Sequence, residues 1–302
     1  MKILNIAFIV SLGAIALVGC GGGSSSTTTT TADTPVTPAV ASFTSWSATT
    51  ANTPVAMTNG SSSSIDLLGS ISQADSNGSA TFTRDASNNF TLINPSASSG
   101  NSAVFSAALG DTLQSSFSSA NTTTLNKAQT TIGLFANPFT YSFDYQTYGT
   151  WGPYGNATGS SFALSDGTVS AASVIPATGS LTYTGGSTGY YVDPNKFSYI
   201  TNANMVFIST FDNRTLNFST SNTVIQGGPN GNLNSNPALQ LAGVLTYVAG
   251  TNNFTGTVTT TSGMTGTMNG KFYGPGLNEV GGTYAVYAAG IGTMVGSFGG
   301  KR

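Results

Sequence analysis

The chain contains no histidine, one cysteine and few charges. Among 302 residues there are eight lysines and arginines, nine aspartates and one glutamate, a charged fraction of 6% with a formal net charge of -2. Each shortage removes a class of chemistry. Without imidazole there is no base for a Ser-His-Asp or Cys-His pair, and a zinc or copper site would lack both histidine and enough thiolate. A lone cysteine closes no internal disulfide. Charge this far below the usual quarter leaves no basic patch for nucleic acid and no acidic funnel. The aspartates stand singly, as at Asp75, Asp85 and Asp193, which suits turn caps better than a calcium cage. A glycosidase pair would have to draw on Glu279, which reads instead as the start of a strand beside Lys271. Lys127, Lys196 and Lys271 stand in polar settings, without the burial that a nucleophilic lysine needs. Gly185-Gly186-Ser187-Thr188-Gly189 satisfies Gly-x-Ser-x-Gly but reads as a glycine-rich turn between two strands, not a nucleophile elbow. These shortages point to a protein that is not an enzyme and that has neither cofactor nor metal.

Helical periodicity is nearly absent as well. Ser, Thr, Asn and Gly dominate, and turn signals such as Asn59-Gly60, Asp75-Ser76-Asn77-Gly78, Asn88-Asn89 and Asn252-Asn253 recur between short strand-like runs. The expectation is all-β, with one short helix near Thr112 to Lys127. Exposed strand edges would be hazardous on so neutral a chain, which favours a closed barrel over an open sheet.

The N-terminus has a sorting pattern. Lys2 precedes an apolar run from Ile3 to Val18 and then Leu17-Val18-Gly19-Cys20, a secretion signal over 1–19 ending in a lipobox. The run is short for a spanning helix and lacks basic stop-transfer residues. Cys20 is therefore the expected lipid attachment site, and its acyl chains the contact with a membrane. Gly21, where a retention signal would have Asp, favours the outer membrane. Residues 20–41, rich in Gly, Ser and Thr, read as a disordered tether with a reach of about 25 Å.

The C-terminus has the clearest pattern. Gly266, Met268, Gly270 and Phe272 alternate with Thr265, Thr267, Asn269, Lys271 and Tyr273, an antiparallel strand with one wet face. Pro275 ends pairing, which resumes near Val280. The run Gly270-Lys271-Phe272-Tyr273-Gly274-Pro275, then Asn278-Glu279-Val280-Gly281-Gly282-Thr283-Tyr284, then Phe298-Gly299-Gly300-Lys301-Arg302, resembles the C-terminal barrel signature of the transferrin-binding protein B family of bacterial surface lipoproteins. Tyr141 to Trp151 resembles that barrel's aromatic first strand, Pro176 to Gly185 its second, Phe211 to Leu216 a recurrent hairpin and Asn253 to Thr257 the strand before the signature. The resemblance implies a small handle-like β domain over 42–138 followed by an eight-stranded antiparallel β-barrel over 139–302. It also implies capture of a host protein or an iron or haem source at the cell surface, and export with help from a surface lipoprotein assembly modulator. The chain has room for one lobe where full receptors carry two, so one-lobed and hemophilin-like relatives are the nearer comparison. Haem would have to use tyrosine, methionine or a stacking pocket, because no axial histidine exists.

For contact with a ligand the aromatics Trp151, Tyr154, Tyr190 and Tyr191 stand out, since each lies near a loop or glycine-rich stretch and is of the type that dominates binding hot spots. The alternative is that Tyr148 and Trp151 plug the barrel's end and Tyr190 packs inside. Asp212-Asn213-Arg214 reads first as a tight hairpin turn. A passive surface coat or adhesin is the competing reading of the whole.

Overall fold

The computed structural model describes residues 143–153, 160–227 and 233–302, and within 55–136 the strands and a few flanking positions. The expected signal peptide, Cys20 and the tether lie outside the described residues. The first half supplies β1 (Val55–Thr58), β2 (Ser61–Asp66), β3 (Ser70–Asp75), β4 (Thr81–Arg84), β5 (Phe90–Ile93), β6 (Ser102–Phe105), β7 (Thr112–Ser115), β8 (Thr122–Lys127), β9 (Thr131–Ala136), β10 (Gln146–Pro153) and β11 (Ser160–Gly167). The second supplies β12 (Ser180–Val192), β13 (Ser198–Thr210), β14 (Thr215–Gly227), β15 (Leu233–Ser235), β16 (Leu241–Tyr247), β17 (Asn253–Thr260), β18 (Thr265–Tyr273), β19 (Glu279–Ala288) and β20 (Gly292–Lys301). No helix among the described residues is long and apolar enough to cross a membrane.

The region expected to hold a helix, Thr112 to Lys127, contributes the paired antiparallel strands β7 and β8 instead. Its threonines explain the difference: a β-branched side chain loses rotamer freedom against a helical turn and packs well on a pleat.

Eight strands close a barrel in chain order, β12-β13-β14-β16-β17-β18-β19-β20, and β20 returns to pair with β12 along Thr184–Val192. Every neighbour is antiparallel, the up-and-down arrangement that leaves no barrel edge. The short β15 adds to β14 outside the ring. Alternation turns Tyr183, Phe207, Phe218, Phe254, Phe272, Tyr284 and Phe298 into the lumen, where the rings of all but Tyr284 lie 4.9 to 6.5 Å from neighbouring rings of the set. Large side chains sit opposite glycines on the next strand: Gly270 faces Phe254, Gly282 faces Phe298 and Gly296 faces Tyr284. A Cβ on Gly282 would lie 2.8 Å from the Phe298 ring. The glycines of this signature are thus the space that the aromatics occupy.

Outside the barrel lie a seven-stranded antiparallel sheet, β3-β2-β11-β10-β9-β8-β7, and a four-stranded sheet, β1-β4-β5-β6. The middle of the larger sheet, β2, β10 and β11, is laid on the outer wall of β19, β20 and β12. This corrects the expected first barrel strand. The segment after Tyr141 does not pair with the C-terminal strand; β10 pairs with β9 and β11, and β20 pairs with β12 and β19. The aromatic pattern of β10 arises because both of its faces are buried, a property shared by barrel strands and by the middle layer of a stack. The wet face expected for β18 is also only half wet. Asn269, Lys271 and Tyr273 are buried, because the seven-stranded sheet and the segment 168–170 cover that end.

Candidate functional site

Trp151 and Tyr190 are buried, at 2% and 1% exposure. On β10 the even positions face the barrel: Gln146 Nε2 donates to the carbonyls of Val280 and Gly300 at 2.7 and 3.2 Å, and the Thr150 hydroxyl lies 3.0 Å from that of Thr188. Tyr148 therefore lies against the barrel's outside and does not plug its end. Trp151 is on the opposite face of β10, its ring 5.3 Å from that of Phe162 on β11. Tyr190 points out of the barrel into the covering sheet and donates its hydroxyl to the Pro153 carbonyl. Gly152 makes room for it, since a Cβ there would lie 2.6 Å from the Tyr190 ring. Burial pushes the Tyr190 hydroxyl up to about 12, against a smaller opposing effect of the Ser198 hydrogen bond. Tyr191 points inward, stacks on Tyr199 at 5.8 Å and donates to the Ile291 carbonyl at 2.7 Å. Its hydroxyl is also pushed up to about 12, by burial first and then by Asp193 and Tyr199. Tyr154 lies outside the described residues. Of the described members of the aromatic set, Tyr190 ties the barrel to the sheet, Trp151 packs within the sheet and Tyr191 within the barrel, and all three are buried.

The Gly-x-Ser-x-Gly segment is not a turn. It lies within the single thirteen-residue strand β12, and Ser187 is buried, donating to the Ser297 carbonyl at 3.1 Å with its oxygen 3.2 Å from the Tyr284 hydroxyl. Asp212-Asn213-Arg214 is the β13–β14 turn: Asp212 accepts the Gly179 amide at 2.9 Å, Asn213 accepts that of Thr215 at 3.1 Å, and Arg214 has φ 57°. Among the described residues no cluster of three or more carboxylates or other ligand side chains could hold a metal.

Glu279 begins β19 beside the strand that holds Lys271, as expected, but its side chain is engaged elsewhere. It stands opposite Tyr273, not Lys271, is 2% exposed, and accepts the backbone amides of Asp144 at 2.6 Å and Tyr145 at 3.1 Å. Burial pushes its carboxyl up to about 7, against the lowering effect of those amides. Lys271, read as exposed, is buried as well. Glu279 is a clasp between the bend leading into β10 and the end of the barrel, and no neighbouring residue pattern marked it.

Among the described residues, an open face is the barrel wall that the sheet leaves uncovered. Outward positions on β14, β16, β17 and β18 run in cross-strand rows, Asn217-Val244-Thr257-Thr267 and Ser219-Ala242-Thr259-Thr265. Val206, Ile208 and Val244 are 37%, 39% and 56% exposed. With Asn217, Ser219 and Ala242 they line a shallow groove of about 420 Å³ floored by Phe218 and Gly243. A second groove of about 490 Å³ continues past Val206 to Thr184, Asn204 and Ser221, with Lys301 at its margin. The other charged side chains after residue 175 lie in turns, at the terminus or under the sheet: Asp193, Lys196, Asp212, Arg214, Lys271, Glu279 and Arg302. The only trace of this wall in the sequence is Met205-Val206-Phe207-Ile208, apolar on both faces of a strand that is buried on one.

Residues 175–302 match the family profile described as C-lobe and N-lobe beta barrels of Tf-binding protein B. No curated protein matches the chain. Solved structures similar to it include a transferrin binding protein B from Haemophilus parasuis, 16% identical with a TM-score of 0.48 over 81% of this chain and 45% of that one. One from Neisseria meningitidis is 15% identical with a TM-score of 0.46, over 80% and 43%. One from Actinobacillus pleuropneumoniae is 13% identical with a TM-score of 0.40, over 81% and 99%. The chain thus spans less than half the length of the first two.

Proposed function

We propose that this chain, whose residues 175–302 form a transferrin-binding-protein-B-like barrel, is a lipid-anchored, surface-exposed outer-membrane protein that binds a host-derived ligand without catalysis. The family match carries this reading. The anchor is Cys20, consistent with its lipobox setting, and the barrel meets water: aromatics fill its lumen and Thr, Ser and Asn dominate its open wall, the inverse of a lipid-facing barrel. Aromatics pack against one another in the lumen, and among the described residues the open grooves lie on the outer wall, which supports a ligand met from outside. That favours a protein over haem as the captured species. Export through a surface lipoprotein assembly modulator fits the same scheme.

The test is affinity capture from serum or tissue extract by the acylated chain in detergent, combined with protease shaving of intact cells. One saturable host protein and loss of the chain on shaving are the expected results. Absence of any saturable partner would favour the second reading, a passive coat or adhesin, which the uncharged wall also supports. Titration with haem is expected to leave the Soret band unshifted; a stoichiometric shift would point to a surface haem site.

A further inference from the structure

We infer that the uncovered wall of β13, β14 and β16 docks a neutral glycan chain carried by the captured partner. This rests on the binding role proposed above and names the chemistry that the face reads. The argument is charge complementarity. Among the described residues this wall has no acidic or basic side chain between the strand ends, although it is the part of the barrel most open to solvent. A polypeptide epitope brings charged groups, and pressing them onto a wall without counter-charges would strip their hydration with nothing in return. Nor does the groove offer the Trp, Tyr or Arg anchors that carry most protein–protein affinity.

A neutral sugar chain has complementary properties. Its hydroxyls need donors and acceptors at close intervals, and its C–H faces need an apolar strip. Asn217 and Ser219 border the strip formed by Val206, Ile208 and Val244. Outward positions on neighbouring strands lie about 4.8 Å apart, and successive outward positions along one strand about 6.7 Å apart, close to the dimensions of a pyranose ring. Phe218 and Gly243 face the lumen, so backbone alone forms the floor between the outward rows of β14 and β16. Aliphatic contacts make each site weak, so useful avidity needs many copies on one surface.

The experiment uses the full acylated chain in detergent on a printed array of neutral glycans ending in mannose, galactose, glucose or N-acetylglucosamine, with sialylated and sulfated glycans beside them. At least one neutral class is expected to be retained, with little change between low and high salt. The double variant Val206→Lys/Val244→Lys, altered only at solvent-exposed positions, is expected to keep its thermal midpoint and lose roughly tenfold in retention, about 1.4 kcal/mol. No neutral glycan bound, retention equal in the double variant, or salt-sensitive binding of charged glycans alone would each overturn the inference. Ribonuclease B and its unglycosylated form A give a direct check should mannose be the class retained: equal binding of both also overturns it. Should a serum partner be captured equally well after enzymatic removal of its glycans, the inference fails while the binding role stands; no captured partner at all removes the role itself.

Discussion

Glu279 shows what one side chain contributes when burial and hydrogen bonding oppose each other. Its carboxyl titrates near 4.5 when free and is pushed up to about 7 in the fold, mainly by burial. Between those values the folded protein holds a proton that the unfolded chain releases. The contribution of this group is therefore complete below about pH 4.5 and declines as the pH rises through 7, by on the order of 3 kcal/mol. Chemical denaturation across this range should show Glu279→Gln losing that slope while unrelated slopes persist; an unchanged slope would remove the carboxyl from this role. Leu277 presents a similar contest. It has φ 56° in the turn after Pro275 yet is 2% exposed, and its carbonyl accepts the Tyr183 hydroxyl at 3.0 Å. Leu277→Gly relieves about 1 kcal/mol of left-handed strain but forfeits the 2–3 kcal/mol or more of a buried leucine, so net destabilisation of about 1–2 kcal/mol is expected by thermal melting. Stabilisation would mean that the strain outweighs the packing.

The seam between the seven-stranded sheet and the barrel is built for close approach. Gly281 lies beneath Gln146 Oε1, and a Cβ there would come within 2.6 Å of the Ser165 hydroxyl; Gly299 makes room for the Tyr148 ring. Gln146 cannot swing away without releasing both of its carbonyl partners. Gly281→Ala is expected to cost about 1–3 kcal/mol and to speed amide exchange in β10 and β11 more than in β16 and β17, which are not among the strands the sheet packs on. Equal acceleration in all four strands would argue against a local seam. Tyr190→Phe, which leaves the Pro153 carbonyl without its hydroxyl donor, should cost about 0.5–1.5 kcal/mol. In the sequence these glycines are indistinguishable from those under lumen aromatics, because a missing side chain does not indicate which neighbour fills its space.

Closure makes β20 the member on which the barrel depends most. It pairs with β12 on one side and β19 on the other while its outward face supports the covering sheet. Val295, fully buried on that outward face, sits mid-strand. A proline there removes an amide from a strand paired on both edges, so Val295→Pro is expected to cost about 3 kcal/mol or more and to broaden or abolish the cooperative unfolding transition. A sharp transition near the original midpoint would show that the ring tolerates an open seam. Neutral strand walls are safe in this arrangement because a closed ring has no free edge to guard with charge.

The sequence alone determined the strand-dominated class, the alternation that sends Met268 and Phe272 inward, the stop at Pro275, the hairpin turn at Asp212-Asn213-Arg214, and the C-terminal barrel signature. These are local, written in period-two patterns and turn residues. Tertiary structure alone decided that β10 belongs to the covering sheet, that β12 runs unbroken through Gly185 and Gly189, that Glu279, Lys271 and Trp151 are buried, and that Tyr190 joins the barrel to the sheet. Each depends on what lies across a face from a strand, and a strand's own residues set which side is apolar without setting how many sides are covered.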